Sequence, residues 1–280
     1  MQPPYAAIRQ ALAQADAILI GASNGLSISE GYNLFANDAW FRENFGDFQQ
    51  RYGIRCVLDG VFYRYPSPQE KWAFFSRLIW KKCYQDGPSQ MMQDLYALVR
   101  GRDYFVLTSN GEDHFAPAGF DRGRIFEMEG RMTQSICSAR CCEAVYENRE
   151  DVLRMAQAEN GAVPAELLPR CPNCGAVLTV NMADSGAFFQ TRDFQQKMRD
   201  YRAFVQKYHG KRLVILEFGV GWRNRMIKEP LMQLTAAEPL ATYITFNKGE
   251  LYIPAEIASR SIGVDGDIAE VLAQLVSGAH

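Results

Sequence analysis

Four short aliphatic runs limit what this chain can fold into: AILIGA (17–22), YFVLTSN (104–110), RLVILEFGVG (212–221) and ATYITFN (241–247). A strand covered on one face alternates apolar and polar residues, whereas these are nearly unbroken. Such runs, separated by helical stretches, mark a parallel sheet covered on both faces. Each run ends in small or polar residues at its carboxyl end, the edge where open α/β sheets bind ligands. The loops headed by Gly21, Asn110, Gly219 and Asn247 are therefore expected to converge on one crevice.

The intervening segments read as helices. Residues 4–15 place Ile8 and Leu12 on one face, and 39–52 space Phe41, Phe45 and Phe48 for an aromatic core stripe. Residues 67–85 open with Ser67 as cap, Pro68 at the first position and Glu70 completing a capping box. Further helices are expected over 89–99 and after the Asp-Gly-Asp turn within 263–276. At 280 residues the chain suits one large α/β domain with a smaller inserted module. Its 30 basic and 32 acidic residues leave a net charge of −2 with no basic block, which argues against nucleic-acid binding. The run at 17–22 is too short to cross a membrane and no basic region precedes it, so a cytoplasmic protein is expected.

Five of the seven cysteines fall between 137 and 174, in the pattern Cys137-x3-Cys141 with Cys142 adjacent, then Cys171-x2-Cys174. In a cytoplasmic chain such a cluster points to a metal site before disulfides. The second pair lies in RCPNCGA, where Pro172 and Gly175 give a tight knuckle. Two such pairs suit a closed, tetrahedral, structural zinc site held by Cys137, Cys171, Cys174 and either Cys141 or Cys142, with Cys141 favoured by its spacing. Cys56 and Cys83 read as buried small hydrophobes. The expected organisation is a Rossmann-like doubly wound parallel sheet (1–130 and 191–280) with a zinc-ribbon domain inserted at 131–190.

The first run breaks into GASNGLSISEGYNLF (21–35), whose small residues either cradle a phosphate or form an ordinary turn. Later motifs decide between the two. Thr108-Ser109-Asn110 ends the second run, with Glu112 and then Ala118-Gly119 after it. Glu129-Gly130, the paired cysteines, Gly219-Val220-Gly221, Asn247 and Gly266-Asp267-Ile268 follow in order. This constellation resembles the sirtuins over nearly the whole chain. The stretches FGDFQQRYG, GVFYRYPSPQEKWAFFSR, AGFDRGRIFEMEG, GVGW and DGDIAEVL resemble its macrodomain-linked class M bacterial branch.

The resemblance implies NAD and zinc as cofactors and mono-ADP-ribosylation of an acceptor protein with release of nicotinamide. It implies an acceptor of the lipoyl-carrying type found in glycine cleavage, with a lipoate ligase and a macrodomain hydrolase as functional neighbours. It assigns NAD contacts to Gly21, Ala22, Ser23, Gly25, Ser27, Gly31, Phe35, Ser109, Asn110, Glu112, Gly219, Val220, Gly221, Asn247, Gly266, Asp267 and Ile268, and catalysis to Asn110 and Glu129. Several residues depart from the family pattern. Leu34 stands where an arginine is usual, Val220 replaces a threonine, and Glu129 occupies the position of the histidine base. A glutamate can take a proton if a dry site raises its pKa, or can stabilise a cationic transition state. Glu127, two residues earlier on the expected strand face, could substitute for it, and His114 reads as a structural histidine. The alternatives carried forward are a lysine deacylase and an NAD or ADP-ribose sensor without turnover.

Overall fold

The computed structural model describes residues 4–158, 161–183 and 191–278. The chain opens with α1 (Tyr5–Gln14) and β1 (Ala17–Ala22), followed by the short α2 (Asn24–Ser29). Then come α3 (Ala39–Tyr52), α4 (Val57–Phe62), α5 (Pro68–Ile79) and α6 (Gln90–Val99), leading to β2 (Tyr104–Thr108) and β3 (Ile125–Glu127). The strands β4 (Gly130–Cys137), β5 (Val145–Glu147) and β6 (Leu178–Met182) follow, with α7 (Arg149–Met155) after β5. The chain closes with α8 (Arg192–Lys207), β7 (Leu213–Phe218), α9 (Arg225–Ala237), β8 (Thr242–Phe246), β9 (Ser261–Val264) and α10 (Ile268–Ser277).

The main sheet has six parallel strands in the order β3-β2-β1-β7-β8-β9. Counting only its own strands, that is the doubly wound order 3-2-1-4-5-6. Every residue of β1, β2 and β7 is buried, as the unbroken aliphatic runs require. One apolar layer, with Ile18, Ile20, Val106, Val214 and Ile244, packs against α1, α6 and α10. The opposite layer, with Leu19, Phe105, Leu107, Ile215 and Tyr243, packs against α8 and α9. The chain leaves β1 in one direction and β7 in the other, so the crevice at their carboxyl ends is the topological switch point.

The second sheet is antiparallel, in the order β5-β4-β6. A separate apolar cluster joins it to α3, α5 and α7: Phe41, Phe45, Phe48, Trp72, Phe74 and Phe75 pack with Met132, Val152, Val180 and Met182. The aromatic segment 40–80 is thus the core of the second unit. The Trp72 indole N–H donates to the Leu178 carbonyl at 2.8 Å, tying α5 to β6. The expected ribbon boundary at 190 lies outside the described residues.

Three local details differ from the sequence expectations. The helix expected over 67–85 ends as α-helix at Ile79 and continues as a π-turn over Trp80–Tyr84, closed by Gln85 N–H donating to the Trp80 carbonyl. The loop after β1 is interrupted by α2, because Leu26 is buried in the core and draws one helical turn and a half down with it. Glu127 and Glu129 do not share a strand face: β3 stops at Glu127, and Glu129 sits in the turn before Gly130, which has φ +89°. A Cβ on Gly130 would strike the Asn181 backbone, so this turn tolerates only glycine there.

Candidate active site

The carboxyl ends of β1, β2 and β7 meet in a small buried polar knot. The Ser109 hydroxyl donates to Ser23 Oγ at 3.1 Å, and the Asn224 amide donates to Ser23 Oγ at 2.9 Å and to Ser109 Oγ at 2.8 Å. Asn224 stands just before α9. No motif singled it out, because only the topology brings the start of α9 beside β1 and β2.

Asn110 lies next to this knot and is 6% exposed. Its amide Nδ2 donates to the Ser23 carbonyl at 3.2 Å and to Ser27 Oγ at 3.0 Å, and its backbone N–H donates to Thr108 Oγ1 at 3.0 Å. Both amide hydrogens being used, the ring of partners fixes which way the side chain points. Its Oδ1 is buried with no protein partner among the described residues. A buried acceptor without a donor is costly and marks a place where a substrate hydroxyl or a water completes the set.

The Ser27 hydroxyl donates to Glu112 Oε1, placing that carboxylate beside Asn110. Asp113, its competitor by spacing, has φ +63° and turns away to a bidentate pair with Arg122 at 2.9 and 3.0 Å and a bond from Thr133 at 2.8 Å. A cavity lined by Leu26, Glu30, Asn110, Glu112, His114 and Glu127 closes this end of the crevice. Burial pushes the Glu127 carboxyl up to about 7, the Asp113 charge adds to the shift, and Glu127 Oε1 has no hydrogen-bond partner among the described residues. Glu129 is half-buried in its turn, where its carbonyl accepts from Ala183 N–H at 2.9 Å.

His114 is structural in its bonding. Its Nε2–H donates to the Lys82 carbonyl at 2.8 Å and Nδ1 faces Glu30 Oε2 at 2.5 Å. Two acceptors on two ring nitrogens suit an imidazolium. Burial works against the charge, but the Glu30 bond and the Glu112 and Glu30 charges prevail and raise the pKa to about 9.

The remaining loops meet β1 from the other side. Gly25 N–H donates to the Gly219 carbonyl at 2.9 Å, and Asn247 Nδ2 donates to the Val220 and Glu250 carbonyls at 3.4 and 3.2 Å. Glu250, which belongs to no sequence motif, lies against Gly221. Asp267 caps α10 through Ala269 and Glu270 N–H, and Ile268 is buried in the core. Several of the expected cofactor residues turn out to have packing partners. Gly21 faces Leu231 of α9, where a Cβ has no room, and the Val220 side chain is fully buried. Gly31, at φ +90°, and the exposed Phe35 lie beyond α2.

The thiols of Cys137, Cys141, Cys171 and Cys174 all lie within 4.8 Å of one another. A zinc–sulfur distance of about 2.3 Å sets tetrahedral sulfurs about 3.8 Å apart, so the set fits zinc. The Cys137–Cys174 and Cys141–Cys171 sulfurs are each 3.5 Å apart. Burial opposes ionisation of Cys171, but the Asn173 and Cys174 N–H groups outweigh it and bring the thiol to about 6. Cys142 stands outside the tetrad, 4.0 Å from the Cys171 sulfur and 3.8 Å from the Tyr146 hydroxyl.

No family model matches the chain. A protein ADP-ribosyltransferase of Staphylococcus aureus is 32% identical over 269 residues, covering 95% of this chain and 84% of that protein. A probable bifunctional ADP-ribose hydrolase/ADP-ribosyltransferase of Fusarium oxysporum f. sp. cubense is 26% identical over 222 residues, 76% of this chain and 37% of that protein. Among solved structures, an ADP-ribose complex of a Sir2 homologue superposes with a TM-score of 0.61 at 15% identity, covering 97% of this chain and 95% of that one. A Sir2 homologue–NAD complex gives 0.58 at 16% identity, covering 98% and 93%. Among the described residues, no helix is long and apolar enough to cross a membrane.

Proposed function

The chain belongs to the sirtuin family as an NAD-dependent ADP-ribosyltransferase, and from that premise we propose how its crevice divides the work. Asn110 receives the nicotinamide ribose. The observation that carries this is its buried, unpartnered Oδ1 on an amide whose orientation is already locked by Ser23 and Ser27. A hydroxyl of the ribose completes its hydrogen bonding without reorganisation, which is how a preformed site favours a transition state.

Breaking the bond between nicotinamide and ribose develops positive charge on the sugar. Glu112, beside Asn110, supplies opposite charge at that end of the crevice. The acceptor's nucleophile attacks the anomeric carbon, nicotinamide leaves with the bonding pair, and the acceptor's proton passes to a carboxylate. Glu129 is the base in this reading. The Ser23, Ser109 and Asn224 knot and the Gly219–Gly221 turn hold the pyrophosphate side, and Asn247 with Gly266–Asp267 bounds the adenosine side. The four-cysteine site holds structural zinc and takes no part in the chemistry, since four sulfurs leave no open position.

The acceptor is a protein, and we assign it to the lipoyl-carrying class with a macrodomain hydrolase as the reversing activity. A cytoplasmic location belongs to the same proposal, as does the division into 1–130 with 191–280 and a ribbon at 131–190, the segment 40–80 packing on the ribbon's sheet and not on the main one. The test is nicotinamide release by wild type, Asn110→Ala and Glu129→Gln, with and without a lipoyl-carrier protein. Release that needs the carrier and falls in both variants supports the assignment. Unchanged release in Glu129→Gln removes Glu129 as base, and NAD binding without release from any mixture replaces the transferase by a sensor.

A further inference from the structure

Residues 30–40, EGYNLFANDAW, run from the end of α2 into the first turn of α3 and contain two carboxylates and no basic residue. A cation is brought against them from α5. Lys82 lies in the π-turn that ends this helix and is 8% exposed. Its ammonium nitrogen sits 3.7 Å from the centre of the Tyr32 ring and 3.6 Å from that of Trp40. No carboxylate oxygen among the described residues comes within 4.0 Å of it, so the two ring faces are its principal partners. The extra residue of the π-turn swings Lys82 off the face an unbroken α-helix would give it, and such turns recur at functional sites. Its carbonyl, meanwhile, accepts from His114, whose ring packs 5.2 Å from that of Tyr32. Glu30 and His114 line both the cavity that holds Asn110 and Glu112 and the adjoining one lined by Tyr32 and Lys82.

We propose that Lys82 is a positioning residue: its ammonium, held between Tyr32 and Trp40, fastens residues 30–40 in the conformation that admits NAD beside Asn110. The NAD half of this statement rests on the active-site reading above; the fastening does not. Charge is essential to the arrangement, because a neutral amine has little attraction to the ring faces. The groups bearing on Lys82 are Glu30, Asp38 and Asp86, Glu112 and His114 of the β2–β3 loop, and Cys83 beside it. Burial dominates and lowers its pKa to about 8, against the opposing pull of Asp38 and Glu112. The fastening is therefore present at neutral pH and released as the pH climbs past that value.

Two measurements test it, on wild type, Lys82→Arg and Lys82→Met. The first is hydrogen–deuterium exchange of peptides spanning 30–40 at pH 7. The second is the KM for NAD in nicotinamide release between pH 6.5 and 9.5. In Lys82→Met, exchange of the segment is expected to rise about tenfold and KM about tenfold, with kcat within about threefold, as loss of a cation–π clamp of ordinary strength implies. Lys82→Arg keeps the charge and should match wild type at pH 7. Wild-type KM should rise between about pH 7.5 and 8.5 while that of Lys82→Arg stays level there, both rising together only as His114 titrates near pH 9. Equal exchange and KM in Lys82→Met and wild type overturn the proposal, as does a Lys82→Arg variant as loose as Lys82→Met. Charge-dependent exchange in a protein that releases no nicotinamide upholds the clamp and overturns the NAD reading.

Discussion

Gly25 and Gly219 touch backbone to backbone: the amide of one donates to the carbonyl of the other at 2.9 Å, and a Cβ on Gly25 would lie 2.5 Å from the Gly219 Cα. Gly219 also has φ +60°. Alanine at either position must push β1 and β7 apart at the switch point. Gly25→Ala and Gly219→Ala should each lose about 2–4 kcal/mol in urea unfolding and abolish NAD binding. Gly46→Ala, inside α3 with nothing within 4 Å of its Cβ, is the control and should be neutral or slightly stabilising.

Asn224→Ala leaves two buried hydroxyls, Ser23 and Ser109, without their shared donor. Stability should fall by about 1–3 kcal/mol, and NAD affinity by about tenfold to a hundredfold, read by calorimetric titration. Affinity at the wild-type value would remove the knot from the cofactor site.

The raised pKa of His114 makes stability depend on pH in a defined direction. A histidine bound more tightly as a cation in the folded state contributes fully below its unfolded value of 6.5, and the contribution is lost as pH rises through about 9. Wild type should lose about 2–3 kcal/mol across that interval relative to His114→Gln. Denaturant unfolding at pH 6 and pH 9.5 measures it.

Glu127 runs the other way. A carboxyl whose folded pKa lies above its unfolded 4.5 costs stability once the pH exceeds that value, and the cost is complete above about 7. Glu127→Gln should be more stable than wild type by about 1–3 kcal/mol at pH 8 and equal to it at pH 4. A variant that gains stability but loses nicotinamide release at pH 8 would transfer the role of base from Glu129 to Glu127.

Zinc removal should unfold the ribbon and leave the main sheet standing, because the two units have separate apolar clusters. Cys141→Ser should lose bound zinc by metal analysis, whereas Cys142→Ser should keep one zinc per chain. The reverse result would exchange the two cysteines in the tetrad.

The fold was legible in the sequence wherever the signal was local. Unbroken aliphatic runs meant strands buried on both faces, Ser67-Pro68 and Asp267 meant helix starts, and the cysteine spacing named the tetrad together with its doubtful member. Motif order placed Asn110, Ser109 and Gly219 on one crevice, because strand ends in a parallel sheet share an edge. What the chain could not declare were the pairings across long separations. Asn224 joins Ser23, Lys82 joins Tyr32 and Trp40, and Phe74 joins Val180 only after the sheet order and the packing of α5 are set. Each of those residues has an ordinary local role as a cap, a helix surface or a core position. Periodicity and capping report what a residue does to its neighbours in the chain, whereas orphaned oxygens, a caged ammonium and a carboxyl near neutrality arise from partners that only tertiary structure supplies.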